Sequence, residues 1–151
     1  MTKPKVLFVC LGNICRSPTA EAVFRHKASE ASIDVFIDSA GTGAWHQGEL
    51  PDGRAREAGQ RRGYSFAGQR ARAVIENDFK DFDYILAMDQ KNLDALISRA
   101  PTGTENKIRL FLEYGSTSTA EVPDPYYGGP DGFEHVLDLI EDASGGLLRE
   151  L

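Results

Sequence analysis

Two rhythms of hydrophobic and polar positions run along this chain, and the points where they change mark out its elements. Val6-Leu-Phe-Val-Cys10 is an unbroken apolar run of strand length, so Lys5 to Cys10 reads as a buried strand. From Pro18 to about Ser29 the pattern is helical, with Thr19-Ala-Glu-Ala-Val-Phe24 supplying helix formers and an apolar face. Val35 to Ser39 is expected as a second strand, ended by the Ala40-Gly-Thr-Gly43 turn. Pro51 to about Arg62 predicts a helix bounded by Gly63, and Ala71 to Glu76 a short one. Asp83 to Ala87 is the third strand, and Asp89 caps a helix that runs through Leu96 and Ile97 to the break at Pro101-Thr-Gly103. Lys107 to Leu112 is expected as a fourth strand, and Gly132 to about Leu148 as a final helix despite Gly145-Gly146.

Strands alternating with helices predict an α/β fold, a three-layer sandwich with a central, mostly parallel four-stranded sheet and helices on both faces. Right-handed crossovers place ligand loops beyond the C-terminal ends of such strands, where Cys10 lies. With 151 residues, 41% of them apolar, and no repeat or long linker, residues 1–151 are expected to form a single domain that needs no disulfide staples. The Gly115-Ser-Thr-Ser-Thr119 tract reads as a loop within it.

Charge narrows the partners. Seventeen Lys and Arg stand against 23 Asp and Glu, and the net charge of −6 disfavours a general nucleic-acid surface. Arg54, Arg56, Arg61, Arg62, Arg70 and Arg72 are a local exception, either a solvated face or a strip that steers acidic phosphopeptides. No run of about 18 apolar residues predicts a membrane span, and no long apolar signal segment opens the chain. Its two cysteines lie inside one motif, which favours a reducing, cytoplasmic setting. His26, His46 and His135 are too scattered for metal-ligand spacing, and Gly41-Thr-Gly43 lacks the full dinucleotide pattern, so no metal and no cofactor are expected.

The chemistry concentrates between Val6 and Pro18, where an apolar strand runs into a nucleophile, a short loop and a helix start. A loop turning at Gly12 and Asn13 can aim several backbone N–H groups at an oxyanion. The same donors, with the Arg16 cation and the Ser17 hydroxyl, favour a thiolate at Cys10. Arg16 offers a planar fork for two phosphoryl oxygens. Pro18 suits a first helical turn, where its missing N–H costs nothing. The Cys-x5-Arg spacing alone is common, and a cysteine ending a buried strand is more often core than catalyst.

The whole stretch Cys10-Leu-Gly-Asn-Ile-Cys-Arg-Ser-Pro18 closely resembles the signature of the low-molecular-weight protein tyrosine phosphatases. Asp38-Ser-Ala-Gly-Thr42, Phe82-Asp-Tyr-Ile-Leu-Ala-Met-Asp89 with Asn92, and Val122-Pro-Asp-Pro-Tyr-Tyr127 are similar to that family in the same order. The resemblance implies that Cys10 is the nucleophile, Arg16 the transition-state clamp, and Asp124 the general acid and then base. It further implies that Leu11, Gly12, Asn13, Ile14, Cys15, Arg16 and Ser17 bind phosphate, with Asn13 and Ser17 organising the loop. Leu11, Ile14, Trp45, Tyr126 and Tyr127 become substrate walls. Read without the resemblance, Asp124 is a solvated turn aspartate and Trp45 a cover for the core.

Ile14, where phosphoarginine-hydrolysing relatives carry threonine, points towards phosphotyrosine and aryl phosphates. The implied partners are tyrosine-phosphorylated proteins, a tyrosine kinase among them, and a cellular thiol reductant. Cys15 has two readings, redox protection of Cys10 or loop packing. Gln69-Arg-Ala-Arg72 departs from the family's histidine at Gln69, leaving open the support given to Asn13. Tyr126 and Tyr127 are also candidates for phosphorylation. Two alternatives stay open: an arsenate reductase using an external thiol, since only Cys10 and Cys15 are present, and a non-catalytic phosphopeptide-binding module.

Overall fold

The computed structural model describes residues 3–125 and 130–151. Strand β1 spans Lys5–Cys10, helix α1 Arg16–Glu30, β2 Phe36–Gly41, α2 Gly53–Arg61, α3 Glu76–Asp81, β3 Tyr84–Ala87, α4 Gln90–Arg99, β4 Ile108–Leu110 and α5 Pro130–Glu150. Single 3₁₀ turns at Glu105–Lys107 and Phe111–Tyr114 flank β4. The four strands form one parallel sheet in the order β2-β1-β3-β4, with Val6 opposite Ile37 on one side and Tyr84 on the other.

The central strand is apolar throughout because both its faces are covered. Val6, Phe8 and Cys10 point into a core shared with α1 and α5, where Phe8 meets the edges of Phe24 and Phe111 at 5.6 and 4.9 Å between centroids. Leu7 and Val9 point the other way, into a second core with Phe79, Phe82, Ile85 and Leu96. Helices on both sides of a parallel sheet complete the expected sandwich, and the ends of β1, β2 and β3 emerge together on one edge.

Three boundaries differ for identifiable reasons. The short helix expected over Ala71 to Glu76 is absent before Glu76: Gly41 N–H donates to Arg72 O and Val74 N–H to Gly41 O, both at 2.8 Å, so residues 71–75 are held extended beside the end of β2. The helix begins only at Glu76, where Asp78 accepts the Ile75 N–H at 2.9 Å. The fourth strand shrinks to three residues because Lys107 turns away to donate its ammonium to Phe79 O, while Phe111 and Leu112 curl inward to be buried. Helix α5 passes through Gly145 and Gly146 unbroken. Among the described residues no helix is long and apolar enough to cross a membrane.

Candidate active site

Strand β1 delivers Cys10 to the sheet's C-terminal edge, 3% exposed, and α1 begins six residues later at Arg16. The connecting loop is shaped by Asn13, whose φ of 57° lies in the left-handed region that asparagine tolerates better than most residues. The Asn13 amide is fixed from three directions. Its Nδ2 donates to Ser17 Oγ at 2.8 Å and Ser39 Oγ at 3.0 Å, and its Oδ1 accepts the Arg72 backbone N–H at 3.0 Å. Ser39 in turn donates to Glu21 at 2.7 Å, and Glu21 pairs with Arg25 at 2.7 Å.

This chain of bonds places the Ser17 hydroxyl, which accepts from Asn13, 3.0 Å from Cys10 Sγ and 3.4 Å from Ala40 O. Behind the loop, Thr42 and Gly43 N–H groups bind Cys10 O and Leu11 O, both at 2.9 Å. A Cβ on Gly41 would lie 2.8 Å from Leu11 O, so this close approach requires glycine.

Arg16 is 3% exposed, yet the site holds it firmly charged: burial works against the cation, and Cys10, Asp89 and Asp124 outweigh it, raising its pKa. Its Nη1 donates to Asp89 at 2.7 Å and to Val122 O at 3.0 Å. These contacts leave Nε and Nη2 as the edge for a two-pronged contact with an oxyanion. Asp89 uses its other oxygen to cap α4, accepting the Asn92 N–H at 2.8 Å. Val122 N–H to Met88 O, and Gln90 N–H to Glu121, both at 2.8 Å, fasten the following segment to the end of β3. That segment brings Asp124 to 3.8 Å from Arg16 Nη2.

Cys10, Arg16 and Asp124 line one cavity of about 280 Å³, together with Leu11, Ile14 and Trp45. Trp45 is 70% exposed and lines the cavity, so it forms rim and not a cover for the core. Tyr126 and Tyr127 lie outside the described residues. His46, which the sequence left unassigned, also lines the cavity, so close to Gly12 that a Cβ there would be 2.9 Å from its ring. Its only sequence signal is its place beside Trp45.

Cys15 is buried within the same loop. Burial, and then the negative charges of Asp52, Cys10 and Asp124, push its thiol up to about 12, so it stays a neutral S–H near pH 7. Gln69 does not reach Asn13. Its Nε2 donates to Pro18 O at 3.1 Å, on the first turn of α1, and the support expected from this segment comes instead from the Arg72 main chain. The arginine cluster divides as well: Arg54 binds Asp52, Arg61 and Arg62 bind acids of α5, and Arg72 sits between Asp38 and Asp78. Glu21, Ser39 and Asp89 act here without having been singled out for it; only Asp89, as the cap after a parallel strand, gave a positional hint.

The sequence model of the family described as low molecular weight phosphotyrosine protein phosphatase matches residues 5–151. A putative low molecular weight protein-tyrosine-phosphatase of Synechocystis is 48% identical over 97% of this chain and 96% of its own length. A low molecular weight phosphotyrosine protein phosphatase of Schizosaccharomyces pombe is 47% identical over 100% of this chain and 99% of its own. Among solved structures, a protein tyrosine phosphatase from Entamoeba histolytica superposes with a TM-score of 0.95 at 44% identity, covering 98% of this chain and 96% of that one.

Proposed function

The chain belongs to the low molecular weight phosphotyrosine protein phosphatase family and is an enzyme of that class, and from that premise we propose that it acts as a single domain that hydrolyses protein phosphotyrosine and small aryl phosphates through a phosphocysteine at Cys10. The Cys10 thiolate attacks phosphorus in line with the ester oxygen, forming S–P as P–O breaks. Asp124 gives its proton to the departing oxygen, and Arg16 with the loop N–H groups follows the equatorial oxygens through the transition state. In the second step water attacks phosphorus, the Asp124 carboxylate takes its proton, and S–P breaks to return the thiolate. The Ser17 hydrogen bond makes that sulfur a better leaving group.

The observation that carries this reading is the convergence on one cavity of Cys10 and Arg16, from a single loop, with Asp124, from a segment far along the chain. Leu11, Ile14 and Trp45 around it support a flat aromatic ester, with Tyr126 and Tyr127 as further walls. A tyrosine-phosphorylated protein, a tyrosine kinase among the candidates, is the partner, in the reducing cytoplasm. Cys15 protects Cys10: after peroxide makes a Cys10 sulfenic acid, the Cys15 sulfur displaces water to form a disulfide, which a cellular thiol reductant reopens. Its neutral thiol makes that capture slow.

Phosphate release from a phosphotyrosine peptide, with chelator present, tests the reading. Cys10→Ser is expected to abolish turnover. Asp124→Ala should lower kcat by roughly 10²–10⁴-fold, and less for esters whose leaving group needs no proton. Peptide binding without phosphate release by the reduced enzyme would overturn the proposal in favour of a binding role or arsenate reduction.

A further inference from the structure

We propose that Arg56 and Arg70 form a subsite beside the phosphate cavity that reads an acidic side chain flanking the phosphotyrosine of the substrate. The inference rests on the phosphotyrosine reading above and adds a sequence preference to it.

The six arginines between positions 54 and 72 are not equivalent. Four of them are held by carboxylates, as described above. Arg56 and Arg70 are held by main-chain carbonyls: Arg56 Nε donates to Pro51 O at 3.0 Å, and Arg70 Nη1 donates to Gly48 O at 3.5 Å. A carbonyl orients a guanidinium without cancelling its charge. Neither side chain has a carboxylate ion-pair partner among the described residues, which sets them apart in a chain with more acids than bases.

Both line a second, open groove of about 520 Å³. Ile14 and His46 belong to the walls of this groove and of the phosphate cavity alike, so the two adjoin. The acids in the groove are already engaged: Glu49 lies 3.0 Å from His46 Nδ1, and Asp52 caps α2 while binding Arg54. Leu50, 49% exposed, adds an apolar surface between the charges. A peptide whose phosphotyrosine reaches Cys10 extends on both sides of the cavity mouth, and this groove offers one flank a path. The flank that passes Ile14 and His46 meets two cations with unspent charge, on a molecule whose net charge otherwise repels acidic peptides.

The test compares kcat/KM for a small aryl phosphate, a phosphotyrosine peptide with neutral flanks, and the same peptide carrying Glu on the N-terminal or the C-terminal flank. It uses the intact enzyme, R56Q/R70Q and R56K/R70K. Two rim ion pairs predict a preference of about three- to tenfold for one acidic-flanked peptide, shrinking as salt is raised. The preference should vanish in R56Q/R70Q and return in R56K/R70K, with aryl phosphate turnover equal in all three. No preference in the intact enzyme, or a preference that survives R56Q/R70Q, overturns the subsite. Loss of aryl phosphate turnover in the intact enzyme counts against the hydrolytic reading instead. Peptide affinities measured in the Cys10→Ser background still decide the subsite in that event, since they need no turnover.

Discussion

Asp89 divides its two carboxylate oxygens between a helix cap and the Arg16 guanidinium, so substitutions there separate the cap from the ion pair. Asn is as good a cap as Asp but brings no charge to Arg16. Asp89→Asn should therefore lower kcat by roughly ten- to a hundredfold and cost about 1–3 kcal/mol of stability, because a buried guanidinium loses the charged partner that orients it. Asp89→Ala should add a further loss of about 1 kcal/mol from the missing cap. Steady-state kinetics and thermal melts on the two variants check both halves.

Glu21 carries a pH signature. Burial raises its pKa above the ordinary carboxylate range, and the Ser39 and Arg25 contacts only partly offset this. The folded state thus binds the proton more tightly than the unfolded chain. Its contribution to stability is full below the ordinary carboxylate value and is lost as pH rises through the folded value. Glu21→Gln should flatten stability between mildly acidic and neutral pH, measured by denaturant titration at several pH values. At this scale Cys10, Arg16 and Asp124 were legible because each stands in a recognisable local motif. Glu21 and Ser39 were not: Ser39 reaches Asn13 across 26 positions and Asp89 reaches Arg16 across 73, and no local pattern encodes such a distance.

Adjacent glycines in α5 illustrate what an element's sequence conceals. Both look like helix breakers, yet their surroundings are opposite. A Cβ on Gly145 would have only Arg149 Nη1 within reach, at 3.9 Å, whereas one on Gly146 would fall 1.7 Å from Tyr114 O. Gly145→Ala should stabilise by about 0.5–1 kcal/mol through helix propensity. Gly146→Ala should destabilise by about 1–3 kcal/mol, since backbone must move to admit the methyl group. Urea unfolding of the pair tests the difference in sign. The same lesson applies to residues 71–75, whose residue types permit a helix but whose backbone bonds are claimed by the end of β2. The long elements were readable because their own periodicity outweighs any single outside contact; the short ones were set by neighbours.

Over the whole molecule, positive charge that is clustered in sequence is dispersed in space. Arg62 binds Glu134, Asp138 and Glu141, and Tyr64 donates its hydroxyl to Glu141, so α2 is fastened to α5 at a distance from the cavity. Arg62→Gln should cost about 0.5–2 kcal/mol of stability, the sum expected for three partly exposed ion pairs, with kcat unchanged. A melt and an assay on one preparation suffice to check it. The sheet's parallel sense followed from the alternation of strands and helices, and the site's position followed from the end of β1. The division of the arginines did not follow, because it depends on which helix faces which.

The phosphate loop has a further consequence in the time of synthesis. Its shape is imposed by Ser39, the Arg72 main chain, Asp89 and Val122 O, all of which leave the ribosome after Cys10. At about 5–20 residues per second, Cys10 waits on the order of ten seconds for the last of them. Throughout that interval the growing chain carries Cys10 without the contacts that shape its loop, so the chemistry proposed for it can begin only when most of the chain exists.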